Sequence, residues 1–211
     1  MTAELLIPAF VTLFVVIDPI GLTPLFLAMT PGADRSSRRA IALRAVLVAA
    51  VLLTAFGLVG EAILGVFGIT MPAFRIAGGL LLFLTALDML FERRTQRRKD
   101  QSEQTDPLAD DPSVFPLATP LIAGPGSMAA MILLVGETNS PLEAGAIFAM
   151  MLGVLALVAG FFLSAGLLER ALRETGINVL TRLLGMLLAA LAVQFVLDGF
   201  IDMGVFTPLT N

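Results

Sequence analysis

With 211 residues, 57% of them hydrophobic and 14% charged, and a mean hydropathy of +0.94, the chain is too apolar for a soluble domain and falls among helical membrane proteins. Its formal charge of -4 is gathered into short polar breaks between long apolar stretches, which argues against nucleic acid as a partner. There is no Cys, His, Trp or Tyr, so disulfides, thiol and imidazole chemistry and an aromatic belt at the bilayer surfaces are all excluded.

Six stretches are long enough to cross a hydrocarbon core of about 30 Å, which takes about 20 helical residues. They lie near 4–29, 40–64, 70–91, 113–136, 142–168 and 178–202. The first has no basic segment before it and carries Glu4, so it reads as a retained span rather than a cleaved leader. A polar segment from Glu92 to Pro112 divides the spans three and three and reads as a flexible linker. The expected fold class is an all-α polytopic membrane protein, one membrane domain over 1–211 with a first half over 1–92 and a second over 113–211.

Span one holds Asp18-Pro19-Ile20-Gly21-Leu22-Thr23-Pro24, a carboxylate and two prolines inside an apolar run. Each proline lacks an N–H and clashes with the preceding turn, so the helix must open there. Open backbone at membrane depth persists only under protein or around a wet cavity, and an ionisable residue there points to function. Span four repeats the proline spacing in Thr119-Pro120-Leu121-Ile122-Ala123-Gly124-Pro125. Span three opens with Arg75-Ile76-Ala77-Gly78 and span six with Arg182-Leu183-Leu184-Gly185. Two motifs in the same order suggest duplicated halves, and three spans per half means that they insert with opposite orientation. Arg75 and Arg182 then become symmetry mates, one near each face.

Thr23-Pro24 and Gly124-Pro125-Gly126-Ser127 read as helix restarts, each with an N-cap followed by proline at the first helical position. Their free N–H groups and positive dipole ends suit a carboxylate, and carbonyls freed around Asp18 to Gly21 and Thr119 to Ala123 suit a cation or ammonium group. Asp18 has two compatible roles: capping the interrupted helix through its own side chain, or carrying a proton or ammonium partner. Arg75 and Arg182 either cap carbonyls or close a substrate path by pairing with an acid. Gln194 is expected to face the interior of span six and bond across helices.

Small residues in span two (Ala42, Ala45, Ala49, Ala50, Gly57, Gly60) and span five (Gly145, Ala149, Gly153, Ala156, Gly160) recur at spacings that let helices approach closely, and both stripes read as packing faces. Met128, Met131, Met150 and Met151 read as gap fillers rather than metal ligands. Arg35, Arg38 and Arg39, then Arg93, Arg94, Arg97, Arg98 and Lys99, then Arg170 and Arg173 follow spans one, three and five, while the intervening loops lack Lys and Arg. The positive-inside rule makes the basic face cytoplasmic and puts both termini outside.

An enzyme is not expected. A Ser–His–Asp arrangement needs His, no second carboxylate matches the depth of Asp18, and no Walker-type Gly-rich motif is present. Phe14 to Thr30 (FVVIDPIGLTPLFLAMT), Phe74 to Phe91, Phe115 to Ser127 (FPLATPLIAGPGS) and Arg182 to Gly199 together resemble the MarC family of bacterial and archaeal inner-membrane proteins. The resemblance implies six spans and, for part of the family, transport of small neutral amino acids. Where the family often has Asn after the Asp-Pro-x-Gly motif, this chain has Leu22.

The leading expectation is therefore a secondary transporter of glycine- or alanine-like zwitterions. The substrate carboxylate would sit on the N–H groups after Pro24 and Pro125, with Asp18 and nearby carbonyls taking the ammonium group. Asp18, Pro19, Gly21, Thr23, Pro24, Thr119, Pro120, Gly124, Pro125, Gly126 and Ser127 form the expected substrate site, with Asp18, Arg75, Arg182 and Gln194 as coupling or gating residues. No cofactor or metal is expected beyond a coupling proton or sodium ion. The expected partners are a small-molecule substrate, the bilayer and a second copy of the chain. The alternatives are a small-solute or ion channel and a non-transporting membrane scaffold.

Overall fold

The prolines and polar caps that punctuate the sequence mark most of the helix starts. A computed structural model describes residues 3–91, 93 and 112–205, with the side chains of residues 3–5 and 167–174 outside that description. Its helices are α1 (Ala3–Ile17), α2 (Pro19–Met29), α3 (Arg35–Val66), α4 (Met71–Leu90), α5 (Ser113–Ile122, wound as a π-helix), α6 (Pro125–Gly136), α7 (Pro141–Leu163) and α8 (Ala165–Asp202). Asp34, Thr70 and Ser140 each accept the N–H three residues on, from Ser37, Ala73 and Glu143. These bonds satisfy first-turn donors that have no intrahelical acceptor.

Among the described residues there is no strand. Leu6–Met29, Arg35–Val66, Met71–Leu90, Pro141–Leu163 and Thr175–Asp202 are long and apolar enough to cross a membrane, and α5 with α6 makes a sixth candidate bent by 57°. These match the expected spans apart from three boundaries. Helix α3 has 32 residues, about 48 Å at 1.5 Å each, so its first turns stand beyond the hydrocarbon core. Span five ends at Leu163 rather than 168, where Ser164 turns its hydroxyl back to the Gly160 carbonyl at 2.7 Å. Helix α8 then begins at Ala165, so the backbone expected as a loop around Arg170 and Arg173 is helical. Residues of the expected 92–112 linker lie outside the described residues except Arg93 and Pro112.

Helices α4 and α8 run antiparallel with backbones in close approach. A Cβ placed on Gly79 would lie 2.9 Å from the Ala192 carbonyl, one on Gly185 3.2 Å from the Ala86 carbonyl, and one on Gly199 3.0 Å from the Pro72 carbonyl. In lipid this contact holds helices together, because hydrocarbon supplies no hydrophobic drive between them. The span-two stripe packs inward: Ala42, Ala45, Ala49, Gly57 and Gly60 are buried in α3, with Gly57 against Phe148 and Met131 and Gly60 against Ile132.

The span-five stripe does not. Gly145, Ala149, Gly153, Ala156 and Gly160 are exposed on α7, and nothing lies within 4 Å of a Cβ placed on any of its three glycines. The face that α7 turns inward is instead its bulky one, with Ile147, Met151, Val154, Leu155, Val158 and Phe162 buried.

Candidate functional site

The interruption in span one is a single residue wide. Asp18 sits at φ 59°, ψ 65°, between the last residue of α1 and the first of α2, and its carboxylate accepts the Gly21 N–H at 3.0 Å. Asp is one of the few residues that visits this left-handed region, because its short side chain can bond locally. On either side the ladder continues, with Asp18 N–H donating to Phe14 O at 2.9 Å and Leu22 N–H donating to Asp18 O at 3.0 Å. Gly21 is required by this cap, since a Cβ there would overlap the Asp18 carboxylate.

That geometry corrects the expected restart at Thr23-Pro24. Helix α2 starts at Pro19 with Asp18 as its cap, and Pro24 lies inside it. Thr23 is fully buried and donates its hydroxyl to the Pro19 carbonyl at 2.9 Å, so it caps nothing. The N–H groups of Gly21 and Leu22 and the carbonyls of Asp18 and Pro19 are thereby occupied from within the chain.

Span four is opened more widely. Phe115 and Thr119, each before a proline, adopt extended dihedrals inside α5, Thr119 at φ -127° and ψ 121°. Ala123 N–H bonds to Ala118 O at 2.8 Å, and Gly124 then turns the chain into α6. A Cβ on Gly124 would lie 2.5 Å from the Pro120 carbonyl. Ser127 knots this start together: its hydroxyl oxygen accepts the Gly124 N–H at 2.9 Å and its proton is shared between the Ile122 and Gly124 carbonyls at 2.8 and 3.0 Å. Pro125 has no N–H, so the N–H groups of Gly126 and Ser127 are the first donors of α6, and a helix start gives them no intrahelical acceptor.

The two interruptions are neighbours. A Cβ on Gly126 would stand 3.3 Å from Val16 Cγ1, in the last turn of α1, and 3.5 Å from Thr85 Oγ1 of α4. Exposure differs sharply between them. Asp18 is 1% and Ser127 2% exposed, whereas Pro125 is exposed and Thr119, Pro120, Gly124 and Gly126 are half-buried. Pro19 is buried, and Gly21 and Pro24 are half-buried.

Two threonines escape sequence reading. Thr85, the one hydroxyl inside α4, gains a place in the site only once Gly126 packs on it. Thr12 is 1% exposed, lies one turn before Val16 on the same face of α1, and its hydroxyl has no hydrogen-bond partner among the described residues. Only its burial distinguishes it.

The other coupling or gating candidates, Arg75, Arg182 and Gln194, lie away from this centre. Arg75, near the start of α4, pairs with Glu137 at the end of α6 at 3.2 Å and with Asp202 at the end of α8. Burial raises the Glu137 carboxyl above its ordinary value; Arg75 opposes the rise, and Asp198 and Asp202 add to it. Arg182 is exposed on α8, one turn before Gly185, which packs on Met89 of α4. Gln194 corrects expectation: it is exposed rather than interior, and its amide donates to Asp198 of its own helix at 2.7 Å. The α4 contact is made by Ala192 and Val196 on either side of it.

Comparison with known proteins places the chain. The model of the MarC family of integral membrane proteins matches residues 3–203. A UPF0056 membrane protein of Methanocaldococcus jannaschii is 39% identical over 92% of this chain and 86% of its own length. YhcE of Escherichia coli is 35% identical over 96% of this chain and 94% of its own length, and YvbG of Bacillus subtilis is 33% identical over the whole of both; both are UPF0056 membrane proteins. No solved structure matches the chain. The chain, a multi-pass helical membrane protein with relatives in bacteria and archaea, belongs to the MarC family.

Proposed function

We propose that the protein is a secondary transporter of small neutral amino acids, glycine- or alanine-like, or of similar small zwitterions, working by alternating access between two inverted three-span halves. The observation that supports this most is the packing of the start of α6 on the turn of α1 that precedes a buried carboxylate. Asp18 is sealed at the α1–α2 interruption, while at the start of α6, packed on Val16, Pro125 is exposed, Gly126 half-buried and Ser127 buried. In this reading the substrate carboxylate takes the N–H groups of Gly126 and Ser127, and the ammonium group approaches Asp18, which also serves a coupling proton or sodium ion. The substrate carboxylate has no place after Pro24, because α2 begins at Pro19 and its first turn is capped by Asp18.

The ion pairs of Arg75 with Glu137 and Asp202 close the outer end in this scheme, with Arg182 as the mate of Arg75 at the basic, cytoplasmic end and both termini outside. Burial of Asp18, Thr23 and Ser127 favours an occluded site over the continuous wet path that a channel needs. Purified protein in liposomes should take up or exchange glycine or alanine, faster under a proton or sodium gradient; no uptake of any small neutral amino acid would refute the proposal. Asp18→Asn keeps a side chain able to cap a helix in the left-handed conformation and should abolish gradient-driven accumulation. Retained accumulation would remove Asp18 as the coupling residue.

A further inference from the structure

Away from the midplane, a cavity of about 540 Å³ opens at the end of the bundle that carries the basic loops. Arg35, Arg38 and Arg39 of α3 line one wall, and Leu27 of α2 with Phe162 and Leu163 of α7 line the other. The spacing of the arginines, three and four residues apart, puts all three guanidinium groups on one face of the helix. Arg38 is held in place, donating Nε and Nη2 to the Thr30 carbonyl at 3.3 and 3.1 Å. Arg35 and Arg39 are exposed, and among the described residues none of the three is paired with a carboxylate. The nearest acid in sequence, Asp34, is committed to the start of α3, accepting from Ser36 Oγ at 2.6 Å and Ser37 N at 3.1 Å.

The opposite wall is mostly apolar, and the Ser164 hydroxyl on it is turned to the Gly160 carbonyl. Phe162 is 2% exposed and stacks on Phe26 with ring centroids 4.4 Å apart, which makes a rigid floor, while Leu163 is 54% exposed beside it. The cavity also lies at a definite depth. It is lined by Leu27 in the last turn of α2, by Ser164 at the α7–α8 junction, and by the first turns of α3, which precede its apolar part. For spans that end at these residues, that is the level at which headgroups meet acyl chains. A free phosphate would use the arginine wall and leave the apolar wall unmatched; a phosphodiester carrying acyl chains matches both, and basic clefts between membrane helices take acidic headgroups for this reason.

We propose that this cavity binds an acidic phospholipid, its phosphate between Arg35, Arg38 and Arg39 and its acyl chains against Leu27, Phe162 and Leu163, so that one lipid bridges α2, α3 and the α7–α8 junction. The test uses the full chain in lipid-free detergent. Phosphatidylglycerol, cardiolipin, phosphatidylcholine, glycerol phosphate and inorganic phosphate are titrated separately, with bound lipid counted by native mass spectrometry and the unfolding midpoint followed by circular dichroism. Phosphatidylglycerol and cardiolipin should saturate and raise the midpoint, and phosphatidylcholine should do neither.

The double variant R35Q/R39Q should weaken phosphatidylglycerol binding about 25-fold, and R39Q alone, the fallback if the double variant folds poorly, roughly fivefold. Arg44→Gln removes the same charge from the same helix outside the cavity and should change binding less than about twofold. Equal binding of phosphatidylcholine and phosphatidylglycerol, or equal losses in Arg44→Gln and the cavity variants, would overturn the proposal. Glycerol phosphate or inorganic phosphate binding as tightly as phosphatidylglycerol would overturn the lipid assignment and leave a soluble phosphate site.

Discussion

Replacing Gly21 with Ala tests whether the Asp18 cap holds the start of α2. A Cβ on Gly21 would overlap Asp18 Oδ2 and stand 2.8 Å from its Cγ, so the carboxylate must swing away and release the Gly21 N–H that it now accepts at 3.0 Å. A hydrogen bond to a charged group is worth about 1.5–3 kcal/mol, and the gain in helix propensity from Gly to Ala returns at most about 1 kcal/mol. The net expectation is about 1–2 kcal/mol of destabilisation. In an Asp18→Gly background the clash is gone and glycine adopts the φ of 59° without strain, so the same Gly21→Ala change should stabilise, by up to about 1 kcal/mol. The double-mutant cycle should therefore give a coupling of about 2–3 kcal/mol with a change of sign. Unfolding by denaturant in detergent, followed by circular dichroism because the chain has no Trp, measures all four corners. Additivity within about 0.5 kcal/mol would show that the two residues are not coupled and refute the cap as the reason for glycine.

Gly79→Ala and Gly153→Ala should move stability in opposite directions. The first puts a Cβ 2.9 Å from the Ala192 carbonyl, where backbone must shift, and should cost about 1–3 kcal/mol; the second meets nothing within 4 Å and should gain up to about 1 kcal/mol. Equal effects would contradict the close α4–α8 contact. For Glu137, burial raises the folded-state pKa above 4.5, so the folded chain holds that proton more tightly than the unfolded chain. Its destabilising contribution is absent below 4.5, grows as pH rises towards the raised value and is complete above it. Glu137→Gln should flatten this part of the pH dependence of the unfolding midpoint, and an unchanged slope would remove Glu137 as its source.

The five apolar spans, and the bent sixth, were legible because crossing hydrocarbon demands a run of apolar residues, and length alone reports it. The caps at Asp34, Thr70 and Ser140, which appear only in the structure, act just as locally: an oxygen-bearing side chain just before proline or the first helical turn needs only its own neighbours. The proline pairs marked where helices are interrupted, but two prolines five residues apart left two possible starts for α2. The choice of Pro19 follows from the left-handed conformation of Asp18 and its bond to Gly21.

Long-range packing decided the rest. The small-residue stripes of α3 and α7 have the same local spacing, yet one is buried and the other exposed, because only the neighbours of a helix determine which face is covered. Gln194 turned outward for the same reason, since Ala192 and Val196 make the contact with Gly79. The approach of Gly126 to Val16 and Thr85, and of Arg75 to Glu137 and Asp202, joins residues far apart in the chain. The sequence by itself determined which residues could interrupt, cap and span; tertiary structure decided which of them meet, because side-chain proximity across helices depends on rotation and register that no local pattern contains.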